Sequence, residues 1–190
     1  IMQKKYDTTV LGLYVLDILG RPISKIPEGG NLAYIEELRL TVAGTAGGTV
    51  VDCAKLGVST LGVGAVGDDE KADFVISTLE KFGVDTSGFE RLKGIPTSST
   101  ILNIRPNGER PALHLRGACD HFLPPKKEKV DIFDCKVFHL GGTGLLKLLD
   151  GQVSVDLLKE AKERGCITTW DLIGATEETI AIVKPLLPHI

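Results

Sequence analysis

The chain has 190 residues, 22 of them glycine, with 43% hydrophobic and 25% charged residues and a net charge of −3. Apart from the glycines, against a usual ~7%, these are globular proportions for about one domain, and they exclude collagen, disorder and a coiled coil. The charge balance argues against bulk binding of nucleic acid, and no apolar run approaches the ~20 residues of a membrane span.

Thr8 to Leu16 is apolar and β-branched and reads as one buried strand with Gly12 inside it. Pro22 to Asn31 is a loop, and Leu32 to Val42 reads as a half-exposed strand or hairpin. Ala43 to Gly48 leads into a helix predicted over 49–56, where Val50, Val51 and Ala54 share a face and Gly57 is the stop. Ser59 to Val66 is the next strand. The spacing of Ala72, Val75, Ile76, Leu79 and Phe82 predicts a helix over 69–82, with acidic residues suited to its N-terminal dipole. Thr97 to Ile104 and Arg110 to Leu115 flank Asn107-Gly108, a hairpin signal. Val137 to Leu140 is a short strand, Val153 to Arg164 an amphipathic helix, Cys166 to Trp170 a strand, and Glu177 to Leu187 helical. This alternation predicts a mainly parallel α/β sheet, with the segments 31–42 and 97–115 free to pair as a second, smaller sheet.

Gly62-Val63-Gly64-Ala65-Val66-Gly67 matches a dinucleotide-binding fingerprint, but the strand continues through the glycines and the helix begins only after Asp68. Gly83-Val84 is too short to be the second strand that Asp85 would have to end. We read these glycines as places of close backbone approach. The segment 43–48 is not a P-loop, since no Gly-Lys-Ser/Thr follows, but its small residues at a helix start let a ligand approach backbone. Asp17, placed at the end of the first strand, is an acceptor-only group suited to sugar hydroxyls. Asp171 ends a strand near the same place, where a capping role explains it equally well. Cys53, Cys119, Cys135 and Cys166 have no C-x-x-C spacing, so zinc is not expected. Free thiols and the lack of a secretory signal pattern suit the cytoplasm.

Several of these segments, in this order, resemble the ribokinase-like, phosphofructokinase-B-type family of carbohydrate and nucleoside kinases. They are Val10-Leu11-Gly12 to Asp17, Ala43 to Gly48 with Lys55-Leu56-Gly57, Gly64 to Asp69, Phe82 to Asp85, Pro96-Thr97, Asn107 to Arg110 and Gly117-Ala118. The resemblance implies a three-layer α/β/α sheet with a small β lid, its hairpins at about 18–42 and 97–116, and residues 1–190 as the N-terminal part of one C-terminally incomplete domain. It implies ATP-dependent phosphorylation of a hydroxyl on a small sugar or nucleoside. Asp17, Gly44, Thr45 and Gly48 are the implied substrate-binding residues, joined by Thr100 and His114 from the hairpin.

ATP and Mg²⁺ are expected on the part outside this chain, because the family's Gly-Ala-Gly-Asp turn does not occur here. No catalytic residue and no metal ligand is therefore assigned within it, and the chain alone is expected to be inactive. A homodimer through the lid is a further expectation. Gly48 stands where the family usually carries Asn, Val15 where Asn is frequent, Ala72 where Gly is common and Gly141 where a polar sugar contact is often found, so ribose or fructose specificity does not transfer. The alternative reading is a sugar-binding or regulatory protein of the same fold.

Overall fold

The computed structural model describes residues 3–190. The first apolar run is not one strand. It divides into β1 (Tyr6–Gly12) and β2 (Val15–Arg21), with Leu13 and Tyr14 at the break. Then come β3 (Glu37–Ala43), α1 (Thr45–Lys55), β4 (Thr60–Gly67), α2 (Glu70–Lys81), β5 (Asp85–Leu92), β6 (Ser99–Asn103) and β7 (Ala112–Leu115). A 3-10 turn (Gly117–His121), β8 (Cys135–Thr143), α3 (Gln152–Glu163), β9 (Ile167–Leu172) and α4 (Glu177–Val183) follow.

The central sheet is parallel, in the order β5-β4-β1-β8-β9. Both its faces are covered, which is why its strands read as apolar runs without alternation. Alternate residues serve two separate cores. Val10 and Val66 pack with Ala46 and Val50 of α1 and Ala72, Val75 and Leu79 of α2. Leu11, Leu61, Val63 and Ala65 pack with Leu157, Leu158 and Ala161 of α3 and with Phe122 and Phe138. Three layers result.

Period two also explains the glycines of β4. Gly62 and Gly64 fall on the α1/α2 side, where the buried ring of Tyr14 lies. A Cβ on Gly64 would come 2.5 Å from Tyr14 Cδ2, and one on Gly62 would press on Phe89 and Val84. The Tyr14 ring sits edge-on to Phe89, and its hydroxyl donates to the Val10 carbonyl at 2.7 Å. The glycine motif is thus a socket for an aromatic pair.

Two more elements differ from expectation. β5 is an additional strand, disguised by Ser87, Gly88, Glu90 and Arg91 and held in place by its pairing with β4. Asp85 therefore opens a strand and accepts from the Tyr6 hydroxyl at 2.6 Å. α1 begins at Thr45, not Thr49, so the glycine-rich segment is its first turn. Glycine costs a helix about 1 kcal/mol per residue. Here Gly47 recovers some of it by lying against Val42 and Tyr14 and by donating its N–H to the Leu13 carbonyl at 3.3 Å.

The second sheet has the order β3-β2-β6-β7. β2 and β3 pair antiparallel from Val15↔Ala43 to Arg21↔Glu37, β2 and β6 pair parallel, and β6 and β7 form the Asn107-Gly108 hairpin. The predicted lid segments do pair with one another, though the first strand starts at Val15 rather than 18.

The root of this sheet is clamped to the core at Asp69, the N-cap of α2. Its carboxylate accepts from Ala72 N–H at 3.0 Å, from Thr97 N–H at 2.9 Å and from the Thr97 hydroxyl at 2.5 Å, while Gly67 N–H donates to that hydroxyl at 2.9 Å. Burial works against the charge, but these donors outweigh it and hold Asp69 below the usual carboxylate range. A group with a depressed value stabilises the fold above its unfolded value and loses that contribution as pH falls through its folded one. Replacing Asp69 by Ala should cost about 1–2 kcal/mol at pH 7 in urea unfolding, a difference that shrinks below about pH 4.

Gly12 is the second sensitive point: it sits at φ +147°, and a Cβ there would overlap the Gly141 carbonyl. Gly12→Ala should lose about 3 kcal/mol or more. Gly30→Ala, with open space around it, should leave the urea midpoint unmoved.

Candidate functional site

The two sheets meet at Leu13 and Tyr14, beside the start of α1 and the ends of β8 and β9. Asp17 is not at the end of a core strand, as the sequence suggested. It is the third residue of β2, inside the second sheet. Its register partners are Thr41 on β3 and Thr100 on β6, and Thr100 in turn pairs with His114 on β7. Thr41, Asp17, Thr100 and His114 therefore form one row across four strands, on one face. The Thr100 hydroxyl and His114 Nδ1 are 3.0 Å apart.

Burial raises the Asp17 carboxyl above its ordinary value, and the Thr100 hydroxyl, His114 and Arg110 only partly offset it. Burial and the neighbouring Arg116 push His114 down, which keeps its imidazole neutral near pH 7. The row thus offers a carboxylate short of partners, two hydroxyls and a neutral imidazole. That set can both accept from and donate to a polyhydroxylated ligand.

Gly44 and Thr45 come together at the N-terminus of α1. Gly44 is the N-cap at φ +81°, where a Cβ would overlap the Leu13 carbonyl, so this contact requires glycine. The Thr45 hydroxyl is buried beside the Asp171 carboxylate without an aligned hydrogen bond. Gly48 lies one turn further along α1, exposed, with nothing within 4 Å of where a side chain would begin.

Asp171 does not cap a helix. It lies within β9 and accepts from Gly142 N–H at 2.7 Å and from His139 Nε2 at 3.2 Å, while His139 Nδ1 meets the Thr169 hydroxyl at 2.9 Å. Burial opposes the charge on Asp171, but His139, the Gly142 N–H and Thr45 hold it below the usual carboxylate range. Sequence reading missed His139 and Thr41. Neither stands in a recognisable motif, and only strand register brings them beside Asp171 and Asp17. Gly141 has no side chain to reach a ligand, and Ala46 fills the space one would occupy. Among the described residues no group of three or more His, Cys, Asp or Glu side chains converges to hold a metal ion.

The family described as pfkB family carbohydrate kinase matches residues 10–173. The chain is 28% identical over 145 residues to the fructokinase of Solanum tuberosum, covering 75% of this chain and 46% of that protein. It is 28% identical to fructokinase-2 of Solanum lycopersicum, covering 75% and 44%. The chain thus spans about half the length of the curated relatives it matches.

Its fold is similar to that of Arabidopsis thaliana ribokinase complexed with ribose and ATP, with TM-score 0.75, 18% identity, and coverage of 90% of this chain and 54% of that one. It is similar also to Xylella fastidiosa fructokinase, with TM-score 0.75, 20% identity, and coverage of 97% and 57%. The fold is ribokinase-like α/β, and the chain belongs to the pfkB family of carbohydrate kinases.

Proposed function

We propose that this chain is the substrate side and lid of a kinase that transfers the γ-phosphoryl group of ATP to a hydroxyl of a small sugar. The observation that carries the reading is the row of Asp17, Thr41, Thr100 and His114, set in a lid rooted beside the N-terminus of α1. Phosphoryl transfer depends mainly on positioning and charge stabilisation. In this reading Asp17 accepts from substrate hydroxyls, Thr100 and His114 fix their direction, and Gly44, Thr45 and the open position at Gly48 border the bound ring. The lid excludes water when it closes.

ATP and Mg²⁺ are assigned to a further segment, since the chain spans about half the length of the curated relatives it matches and the Gly-Ala-Gly-Asp turn does not occur in it. On that division these 190 residues do not turn over by themselves. Mg²⁺ would supply charge neutralisation on the transferred phosphoryl group, and no residue of this chain is assigned to it. A nucleoside remains the second substrate class, because Gly48 leaves room where a side chain would restrict the ligand. The four free thiols fit the cytoplasm, and among the described residues no helix is long and apolar enough to cross a membrane.

We also assign the opposite face of the lid to a second copy of the chain. Leu38, Leu40, Ile101, Leu113 and Leu115 all point away from the Asp17 row and are 69%, 46%, 47%, 67% and 45% exposed. With half-buried Ile18 of β2 between Leu40 and Ile101, they form a continuous apolar surface across the four strands, which water disfavours. A twofold contact would bury it against itself.

Two variants test these assignments. Asp17→Asn should weaken binding of the best ligand among fructose, ribose and adenosine by about tenfold or more in calorimetry. A carboxyl whose folded value is raised loses stability as pH rises from its unfolded value to its folded one. Asp17→Asn should therefore raise the unfolding midpoint near neutral pH while it weakens the ligand. Unchanged affinity would remove Asp17 from the site. Ile101→Glu should convert a dimer to a monomer in sedimentation equilibrium with the far-UV spectrum unchanged. A wild-type chain that is monomeric at tens of micromolar would overturn the dimer.

A further inference from the structure

Cys135 opens β8 and Cys166 lies one residue before β9, at the end of the central sheet opposite the candidate site. Their sulfurs are 3.8 Å apart, with Cys135 fully buried and Cys166 6% exposed. A disulfide needs about 2.05 Å, so the two sulfurs must approach by only about 1.8 Å. The other two thiols have no such partner: Cys119 rests on the Tyr14 carbonyl at 3.2 Å, and Cys53 stands apart on α1.

The surroundings distinguish the pair. Lys4 Nζ lies 4.0 Å from the Cys166 sulfur and is fixed there by the Phe133 and Arg164 carbonyls at 2.9 and 3.1 Å. The Arg164 guanidinium lies over the Phe133 ring and pairs with Asp131 and Glu160. A thiolate on Cys166 would therefore face a held ammonium. Cys135 sits deeper, and burial pushes its thiol well up. The ammonium held beside it and its slightly greater exposure favour Cys166 as the sulfur that reacts first.

We propose that Cys135 and Cys166 form a modification site, closed to a disulfide by a peroxide-class oxidant. The Cys166 thiolate attacks one peroxide oxygen, the O–O bond breaks, and the departing oxygen takes up a proton to leave as water. Cys166 is then a sulfenic acid. The Cys135 sulfur attacks it, the S–S bond forms, and the hydroxyl leaves with the Cys135 proton as a second water. The two sulfurs give up two electrons and the peroxide oxygens accept them.

The site is independent of the sugar reading. It would tie the N-terminal ends of two neighbouring strands whose other ends carry Gly141 to Gly144 and Asp171. Peptide mapping of the full chain tests it, after hydrogen peroxide at native pH and alkylation. The expected product is a Cys135–Cys166 cross-linked peptide pair, 2 Da below the sum of its thiol forms and lost on dithiothreitol. In Cys135→Ser, dimedone should label Cys166 and the cross-link should vanish. Recovery of both cysteines as alkylated peptides from the native wild-type chain, or a cross-link that appears only in urea, would overturn the proposal even if Cys135→Ser fails to fold.

Discussion

The fold turns on one residue that the chain must pass through a gap barely wider than its own backbone. At Leu13 the chain leaves the central sheet for the second one. The Leu13 N–H donates to the Gly141 carbonyl at 2.9 Å, and the Leu13 carbonyl accepts from Gly47 N–H at 3.3 Å. Side chains on Gly12 or Gly44 would overlap the Gly141 or Leu13 carbonyl, and one on Gly142 would press on the Leu13 side chain. Three elements far apart in sequence are packed backbone to backbone there. The crossing sets the lid against the sheet, fixes where α1 begins, and brings the end of β8 to the same point. Substitution at these glycines is costly because neither a carbonyl nor the main chain behind it can move aside as a flexible side chain would.

The carboxylates around that crossing divide into two kinds. Asp69 and Asp171 are surrounded by backbone N–H groups, hydroxyls or an imidazole, and their charge is favoured despite burial. They organise loops: the first ties the lid strand β6 to α2, the second ties β8 to β9. Asp17 is half-buried with too few donors, and its charge is disfavoured. A folded chain gains nothing from such a group until something else supplies donors. Local rules tend to be broken where function requires it, and Asp17 is the member of the three with unfilled capacity for a ligand.

Much of this architecture was readable in the sequence, for identifiable reasons. The helix at Asp69 had its acidic N-terminus and apolar spacing, and the 97–115 hairpin had Asn107-Gly108; both formed where expected. The break between β1 and β2 was hidden because Leu13 and Tyr14 are as apolar as their neighbours, while the turn depends on glycines 30 to 130 residues away. β5 was hidden because its pairing with β4, not its composition, makes it a strand. Within the site, Asp17 is legible from its carboxylate in an apolar run, and Thr100 and His114 only through the family resemblance. That they form one row, completed by Thr41, is a fact of register that spacing along one strand cannot contain.

Register also joins the two roles assigned to the lid. Successive side chains of a strand point to opposite faces, so every residue of the polar row is flanked by apolar residues of the other face. Ile18 follows Asp17, Leu40 and Val42 flank Thr41, Ile101 follows Thr100, and Leu113 and Leu115 flank His114. A slip of one residue in any pairing would break the row and turn polar side chains onto the apolar surface. The second sheet has its edges open at β3 and β7, and on its apolar face Leu16 and Val42 pack against α1 and α2 while Leu38, Leu40, Ile101, Leu113 and Leu115 stay exposed. Association through that face would therefore stabilise the same alignment that assembles Asp17, Thr41, Thr100 and His114. Association and ligand affinity should rise and fall together, although the contact and the ligand lie on opposite sides of the sheet.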